Sequence, residues 1–427
     1  MKAKMGQFIT IILLAMTLMA SCAFEQHPKS RQQTDVGQIF VYLSCPKKPA
    51  VDISFAISGI SFMDNNNEWI DLALERQIGS MDLSEKQLKV SELYLPAGKY
   101  RRMRFKISEA KVKRGSKTFS LALPEPEGES VFDIEFVVFR EESLTLFVDW
   151  DPDESIFNQY LFKPKISVRE QGIEIKKILV YVTNSGSDAV TIIDRQRDVV
   201  VGTVAVGKAP MGIVANGEGT KIYIANSRSN SISVIDTAAM RVTKTIGNFG
   251  YSPSELALSG DGQKLYATNP DSDNVSIIDT VSKMVTQRVS VGRHPVDIVF
   301  DEDRDKLYVA NRGENTISVI NANTAKVEDT VTVDLRPCGL AVKDNKLYVA
   351  NYGSNTVSVI KLGSYSVSKT IAVGQGPVRV QAGLSGWVYV TNANSNDVSL
   401  IYTSMDMSCQ PSLYLSRLFR AIILILY

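Results

Sequence analysis

The chain of 427 residues contains few of the side chains that build metal centres or disulfide frameworks. Its four cysteines are Cys22, Cys45, Cys338 and Cys409, and its two histidines are His27 and His294. Cysteines this few and scattered predict neither a disulfide framework nor a zinc site, and two histidines argue against a histidine-rich metal centre. Neither sign of charge is in excess, since 47 basic and 46 acidic residues leave a net charge of +1. We therefore expect no nucleic-acid partner.

The sequence also lacks the motifs of the common catalytic classes. It contains no Gly-x-Ser-x-Gly elbow, no His-Glu-x-x-His pair, no phosphate-binding loop and no Cys-x-x-Cys-His haem attachment. We accordingly expect no catalytic residue, no bound metal and no cofactor.

The N-terminus has the pattern of an export signal. Lys2 and Lys4 precede an apolar run over residues 8–20, which is too short to span a bilayer and is followed by small residues. The phrase Leu-Met-Ala-Ser-Cys at residues 18–22 resembles the lipobox of bacterial lipoproteins, with methionine where that motif prefers leucine. This resemblance implies a signal peptide over residues 1–21, a lipid-modified Cys22 that attaches the chain to a membrane, and a tether over residues 22–37. It places the protein in the bacterial cell envelope, as an outer-membrane or periplasm-facing lipoprotein or at the cell surface. The alternative is ordinary cleavage near Ser21 that leaves Cys22 free.

Residues 38–168 are predicted to form a β-sandwich. Apolar and polar residues alternate in several short stretches bounded by Gly, Pro and Asn, and no long amphipathic helix interrupts them. The stretches Leu95–Tyr100, Phe147–Asp149 and Tyr160–Ile166, together with Arg104, resemble an uncharacterised β-sandwich domain that is common in bacterial lipoproteins. That resemblance implies an envelope location and no particular chemistry.

One strand of this unit is predicted to have a basic face. Arg102, Arg104 and Lys106 alternate with Met103, Phe105 and Ile107, so the two sets point to opposite faces. The basic face either docks an anionic lipid or polymer, or is simply the solvated side of a strand whose other side is in the core.

The second half of the chain is a repeat. A Tyr-x-x-Asn phrase begins at Tyr181, Tyr223, Tyr266, Tyr308, Tyr348 and Tyr389, with spacings of 42, 43, 42, 40 and 41 residues. Each copy contains four short apolar stretches separated by polar turns, and a proline opens the stretch before the next tyrosine. Four short antiparallel strands in about 40 residues are the size of one propeller blade. The copies resemble the YVTN family of β-propeller repeats over residues 179–402. The sequence thus predicts an all-β protein with an N-terminal sandwich and a propeller of about five to six four-stranded blades.

The recurring polar residues are predicted to be structural. They are Asn184, Asn226, Asn269, Asn311, Asn351 and Asn392, which end the Tyr-x-x-Asn strands, and Asp194, Asp236 and Asp279 at the next corner. Side chains of this kind satisfy backbone groups at turns, and their regular recurrence argues against catalysis.

The predicted ring is incomplete. The first copy has no inner strand before Tyr181, the sixth has no outer strand, and the pattern breaks in the tail over residues 403–427. Either the tail is the product of a truncation or frame shift, or it supplies the missing strand.

One face of the propeller is the candidate binding surface. The loop that enters each inner strand and the turn after each Tyr-x-x-Asn strand open on this face, which carries Lys208, Arg228, Tyr251, Arg293, His294, Arg312, Arg336 and Tyr352. Such side chains suit an anionic ligand, a glycan or the acidic loop of a protein partner, although exposed loops are also basic by chance. The inner strands are apolar apart from the isolated Glu255, Asp297 and Arg379. We therefore predict a non-catalytic binding or scaffold protein. The alternative is a propeller-type enzyme, such as a lactone hydrolase or a subunit of a periplasmic oxidoreductase.

Overall fold

The computed structural model describes residues 35–45, 48–83, 86–124, 128–140, 142–170, 179–247, 250–383 and 386–409, and the backbone of a strand at 423–426. The predicted signal peptide, Cys22 and most of the tether lie outside these residues. No helix in the described ranges is long and apolar enough to cross a membrane. The chain forms two compact units. The first contains the residues up to 179 that the structure describes, together with residues 191–205, and the second contains residues 180–190 and those from 206 onward.

The first unit is a β-sandwich. Its strands are β1 (Val36–Ser44), β2 (Asp52–Asp64), β3 (Trp69–Gly79), β4 (Gln87–Pro96), β5 (Gly98–Arg114), β6 (Lys117–Ser120), β7 (Glu129–Val138), β8 (Ser143–Asp151), β9 (Ile156–Phe157), β10 (Leu161–Phe162) and β11 (Lys165–Glu170). One sheet has the order β11-β8-β1-β4, with β1 and β8 parallel, and the other has the order β3-β2-β5-β6, with β7 also paired to β5. A single apolar core fills the unit, because alternate residues of both sheets point inward.

Strand β5 has the two faces that its sequence predicts. Met103, Phe105 and Ile107 are at most 1% exposed, whereas the basic residues point outward. Arg104 pairs with Asp71 of β3 and Glu129 of β7, and Arg102 pairs with Asp133 of β7, so both arginines of this face have carboxylate partners.

The second sequence half begins with β12 (Leu179–Asn184), β13 (Ala189–Asp194) and β14 (Val199–Ala205). Strand β14 belongs to the first unit, where it packs beside β8. The Thr203 backbone N–H donates to Thr145 Oγ1 at 2.8 Å, and Tyr42 Oη lies 3.0 Å from Thr203 Oγ1. Although the sequence assigns residues 191–205 to the repeat, they therefore cover the outer face of the β1–β8 sheet.

The second unit contains five consecutive antiparallel sheets of four strands each. Their strands are β15 (Pro210–Ala215), β16 (Lys221–Asn226), β17 (Ser231–Asp236) and β18 (Arg241–Ile246); β19 (Leu256–Leu258), β20 (Lys264–Asn269), β21 (Asn274–Asp279) and β22 (Val285–Ser290); β23 (Pro295–Asp301), β24 (Lys306–Asn311), β25 (Thr316–Asn321) and β26 (Lys326–Thr332); β27 (Pro337–Lys343), β28 (Lys346–Asn351), β29 (Thr356–Lys361) and β30 (Ser366–Ala372); β31 (Pro377–Ala382), β32 (Trp387–Asn392), β33 (Asp397–Tyr402) and β34 (Met407–Cys409). Two short 3₁₀ turns, Ser227–Ser229 and Pro270–Ser272, follow β16 and β20. Each sheet is one copy of the repeat together with the inner strand that precedes it.

Adjacent sheets pack face to face. Tyr223 and Ala225 of β16 share an apolar cluster with Leu265 and Ala267 of β20, and equivalent clusters join each later pair of sheets. Since the Tyr-x-x-Asn strand is buried on both faces, it is an uninterrupted apolar run rather than an alternating one. This stacking about inner strands is the β-propeller that the sequence predicts.

The tail contributes two strands to this arrangement. Strand β34 is the outer strand of the last sheet, and β35 (Ile423–Leu426) lies beside β12 as the inner strand of the first. Of the two interpretations that the sequence left open, the structure has the one in which the tail supplies the missing strands.

Candidate functional site

The loop face of the propeller, which consists of the loops entering the inner strands and the turns after the Tyr-x-x-Asn strands, is held together by one repeated contact. The residue before each inner-strand proline has a left-handed backbone, and its N–H donates to an Asp or Asn side chain of the preceding sheet at 2.8 Å. The donor and acceptor pairs are Ala209 and Asp188, Ser252 and Asn230, His294 and Asp273, Arg336 and Asn315, and Gly376 and Asn355. We call these contacts Asx bridges. The acceptors are also left-handed, which Asp and Asn tolerate better than most residues.

The last copy has the acceptor of a sixth bridge. Asn396 has a φ of 56°, and its sheltered Oδ1 has no hydrogen-bond partner among the described residues. The backbone of the loop face is therefore fixed by an Asx bridge at five places where one sheet follows another.

We call the eight residues predicted for the candidate binding surface the mouth residues, and six of them lie on this face in pairs. The Arg228 N–H donates to the Lys208 carbonyl, the Arg312 N–H to the His294 carbonyl and the Tyr352 N–H to the Arg336 carbonyl. These bonds bring each entry loop against the turn of its own sheet. The side chains at the mouth consequently project from backbone that is bonded on both sides.

The side chains at the mouth differ in what they contact. Arg293 pairs with Glu314 at 3.3 Å, and the Arg312 guanidinium lies over the Tyr352 ring at 5.3 Å. Tyr251 is 64% exposed. Since Arg293 is already paired, the charge available to a ligand comes from the other basic residues of the set.

A second set of residues meets at the propeller axis. Each inner strand of these five sheets begins at or just after its proline, and four of them contain a bulge directly after it. The position two residues beyond the proline then faces the axis, and in successive sheets it is Gly212, Glu255, Asp297, Gly339 and Arg379. We call this set the axial column. At Gly339 a Cβ atom would lie 2.9 Å from the Val378 carbonyl oxygen, so the next inner strand approaches too closely for a side chain.

The charged members of the axial column form one cluster across three sheets. Arg379 Nη1 lies 2.6 Å from Glu255 Oε2, without hydrogen-bond alignment, and 3.7 Å from Asp297 Oδ2. The Leu340 N–H of a fourth sheet donates to Asp297 Oδ2, and the Ile298 N–H donates to Oδ1. Contacts among inner strands from four sheets show that these strands converge on a common axis.

The cluster combines buried carboxyls with a reachable cation. Glu255 and Asp297 are 6% and 5% exposed, whereas the Arg379 side chain is 37% exposed. Water therefore reaches the guanidinium but hardly reaches the two carboxyls. Burial raises the pKa of Asp297; Arg379 opposes this rise and Glu255 adds to it. The pKa of Arg379 is raised by the two carboxylates despite burial, so the guanidinium keeps its charge.

Cys338 lies beside this cluster but is not an activated thiol. Its Sγ donates to the Pro377 carbonyl at 3.1 Å. Burial raises the pKa of the thiol to about 11, and the nearby Arg312 and Arg379 only partly offset this rise. A thiol with so high a pKa is a poor nucleophile at neutral pH. In the described ranges no cluster of three or more His, Cys, Asp or Glu residues is arranged to hold a metal.

The repeat asparagines lie inside the sheets rather than at the site. Asn226, Asn311 and Asn351 are fully buried, and their Nδ2 atoms donate to hydroxyls of the following strand, such as Ser233 Oγ at 2.9 Å. Asn269 and Asn392 make the same contact, whereas Asn184 donates to the backbone carbonyls of Val182 and Ala189. Most of their partners are thus hydroxyls and not the backbone groups that the sequence predicts.

The corner aspartates contact the backbone as predicted. Asp194 accepts from the N–H groups of residues 196 and 197, Asp236 from that of residue 239, and Asp279 from those of residues 281 and 282. Asn321 occupies this corner in the next copy and accepts from residues 323 and 324. These side chains form turns and are not directed at a ligand.

The sequence predicts that Glu255, Asp297 and Arg379 are isolated, although they occupy the same position in successive copies of the repeat. In an alignment of the copies this column changes from Gly to Glu, Asp, Gly and Arg, while the column directly after it is always Ile, Leu or Val. Such variation within a regular repeat is the signal that could have indicated a shared environment.

The fold and these sites define an all-β protein with a β-sandwich and a β-propeller. Residues 36–164 match the family described as "Domain of unknown function (DUF4382)", which covers the sandwich. No curated protein matches the chain.

Solved structures are similar to the chain at the level of the fold. A functionally unknown protein from Desulfotomaculum acetoxidans DSM 771 has a TM-score of 0.50 at 10% identity, over 55% of this chain and 78% of that one. Hydrazine synthase of Kuenenia stuttgartiensis has a TM-score of 0.48 at 22% identity, over 70% of this chain and 93% of that one. Dihydro-heme d1 dehydrogenase NirN has a TM-score of 0.42 at 16% identity, over 55% of this chain and 64% of that one. At these identities the likeness concerns the fold alone.

Proposed function

We propose that the chain is an exported, membrane-attached binding protein whose propeller presents its loop face to an anionic partner. The observation that carries this proposal is the set of Asx bridges, which fixes a face rich in basic and aromatic side chains. A rigid face binds without first being ordered, and so loses less entropy on association. The export signal and the lipobox-like phrase at residues 18–22 support attachment to the cell envelope.

The binding part is tested with the full chain carrying Cys22→Ser, applied to immobilised dextran sulfate and to neutral dextran. We expect capture on the sulfated matrix only. Reversing two charges, in the double variant Arg228→Glu and Arg336→Glu, should weaken capture about tenfold or more, since one unit charge at 4 Å contributes about 1 kcal/mol even in bulk water. Lys244→Glu combined with Lys326→Glu is the matched control, because both lysines are exposed on outer strands, β18 and β26. Equal capture by the double variant and the control would contradict the proposal.

The attachment part is tested by labelling expressing bacteria with a palmitate analogue. The native chain should be labelled and sediment with membranes, whereas Cys22→Ser should be unlabelled and released. An unlabelled native chain would instead favour ordinary cleavage near Ser21.

A propeller-type enzyme stays the alternative, and the raised pKa of Asp297 favours it, since carboxyls with shifted pKa values are frequent in active sites. Both oxygens of Asp297, however, accept backbone N–H groups, which leaves neither directed at a substrate. A stoichiometric metal or cofactor in the purified protein would favour the enzyme.

A further inference from the structure

One end of the β-sandwich carries two exposed aromatic side chains on a fixed turn. The hairpin of β9 and β10 turns through Asn158 and Gln159, which both have the left-handed backbone of a tight hairpin turn. Phe157 and Tyr160 flank this turn and are 44% and 60% exposed, and the Tyr160 N–H donates to the Phe157 carbonyl at 3.2 Å. The turn therefore presents aromatic rings to solvent instead of packing them in the core.

The adjacent turn is basic. Arg114, at the turn between β5 and β6, donates from Nη2 to the Gln159 carbonyl at 3.3 Å, which places the two turns side by side. Lys113, Arg114 and Lys117 are exposed, and none of them has a carboxylate partner among the described residues. Neither turn contains an acidic residue. We call residues 113–117 and 157–160 together the sandwich tip.

The cations of the sandwich tip are available to a partner, unlike the two paired arginines on the outward face of β5. Lys113 and Arg114 line an open concavity of about 500 Å³. Asp153, on the loop after β8, also lines it, but Asp153 Oδ1 is turned to the protein and accepts the N–H groups of Ala50 and Val51 at 2.9 and 3.1 Å. The concavity thus has room for a phosphate group beside two cations.

We propose that the sandwich tip docks on the surface of an anionic phospholipid membrane. Aromatic side chains favour the membrane–water interface, and Lys and Arg are attracted to anionic head groups there. The sandwich tip combines both kinds of side chain on two neighbouring turns without an acid between them. This combination favours a lipid surface, into which the rings insert, over a soluble polyanion, which uses the charges alone.

The chain length permits contact with the membrane that would hold Cys22. The tether joins the sandwich at the other end of β5, because the Ala97 N–H donates to the Asp35 carbonyl. Asp35 follows Cys22 by 13 residues, which span at most about 45 Å. The 17 residues of β5 span about 55 Å. Both ends of the sandwich therefore reach one membrane when its long axis is inclined to the bilayer. The inference goes beyond the proposed function, since it concerns another surface and does not require a lipid on Cys22.

The test is cosedimentation of the full chain carrying Cys22→Ser with vesicles. One set contains phosphatidylglycerol and phosphatidylcholine in equal parts, and the other contains phosphatidylcholine alone. We expect binding to the anionic vesicles only. Phe157→Ser with Tyr160→Ser should weaken this binding about tenfold or more, because the buried ring area is lost. Lys113→Gln with Arg114→Gln should weaken it to a similar extent, because two cations near the head groups are lost.

Each double variant has a matched control. Val281→Ser with Met284→Ser removes apolar side chains that are 83% and 67% exposed on the turn between β21 and β22. Lys244→Gln with Lys326→Gln removes two cations that are exposed on outer strands. Neither control changes the sandwich tip or the loop face, so binding to the anionic vesicles should stay at the native level.

A second readout locates the contact. Brominated lipid in the anionic vesicles should quench the fluorescence that Tyr160→Trp adds to that of the native chain, but not the fluorescence that Val281→Trp adds. Absence of binding to the anionic vesicles, equal binding to the neutral ones, equal losses in the controls, or quenching of Val281→Trp alone would each overturn the inference.

The two anionic surfaces are told apart by exchanging the variants. Loss of vesicle binding confined to Arg228→Glu with Arg336→Glu would place the membrane contact on the loop face and overturn the inference. Tip variants that lose capture on dextran sulfate but keep vesicle binding would assign the sandwich tip to a soluble polyanion instead. Capture of the native chain on dextran sulfate and labelling with the palmitate analogue report on the proposed function separately.

Discussion

The axial cluster predicts a stability change that depends on pH. Arg379→Met keeps much of the side-chain volume and removes the cation that faces Glu255 and Asp297. Arg379 Nη1 and Glu255 Oε2 are 2.6 Å apart, and two opposite unit charges at this distance attract each other by about 6 kcal/mol at an effective dielectric of 20. Water reaches Arg379 and screens this attraction, and its removal also relieves the desolvation of the guanidinium. We therefore expect a net cost of about 3 kcal/mol, at the lower end of what breaking a buried pair costs.

The sign of the pH effect follows from the carboxyl. The folded-state pKa of Asp297 is raised above its unfolded value, so the folded state binds more protons between the two values. Stability contributed by this group is present below the unfolded pKa and falls as pH rises through the folded pKa. Without Arg379 the pKa of Asp297 rises further. The loss in free energy of unfolding caused by Arg379→Met should therefore be greater at about pH 8 than at about pH 5.5.

The assay is urea unfolding of the propeller transition at both pH values, with Lys244→Met as the control for losing an exposed cation. The double variant Glu255→Gln and Arg379→Met should recover part of the loss, because one buried charge is removed together with its partner. A cost below about 1 kcal/mol that is equal at both pH values would refute the electrostatic reasoning.

Three further comparisons use paired variants and the same unfolding assay. Asn315→Ala should lower the free energy of unfolding by about 2 kcal/mol and Asn315→Gly by about 1 kcal/mol. Both variants lose the Asx bridge, but only alanine also resists the left-handed backbone. Equal losses would show that the backbone conformation contributes nothing. Arg104→Ala, which loses two carboxylate partners at a side chain 17% exposed, should cost about 1–2 kcal/mol, against less than about 0.5 for Arg102→Ala with its exposed pair; the reverse order would contradict the pairing. Gly374→Ala would place a Cβ 2.5 Å from a buried asparagine amide and should cost about 1–3 kcal/mol, whereas Gly363→Ala meets nothing within 4 Å and should cost less than about 1; a tolerated Gly374→Ala would mean that this contact can relax.

The repeat alone predicts most of the fold. Four strands per copy follow from apolar runs of fixed spacing, and Tyr308 and Tyr348 are fully buried between sheets, as a structural repeat requires. The sequence indicates the tail as one possible source of the missing strand but does not locate β35, because its apolar run lacks the proline and the Tyr-x-x-Asn phrase that mark the other copies. Its place depends on an unpaired edge of β12, which local sequence does not reveal.

The sites were harder to predict than the strands. The mouth residues follow from strand order, because loops at one end of a blade share a face. The axial cluster depends in part on a bulge, which turns Asp297 and Arg379 toward the axis. Sequence periodicity does not reveal such bulges, and so Asp297 and Arg379 looked unrelated although their side chains lie 3.7 Å apart.

The pairing of β12 with β35 has a consequence for how the protein is made. The first copy leaves the ribosome with one edge of its sheet bare, and the strand that covers this edge is synthesised only after every other blade. During this interval β12 offers unpaired backbone groups to any passing strand, including the same edge of another nascent chain. Until β35 is synthesised, this edge of β12 therefore stays open to such pairing.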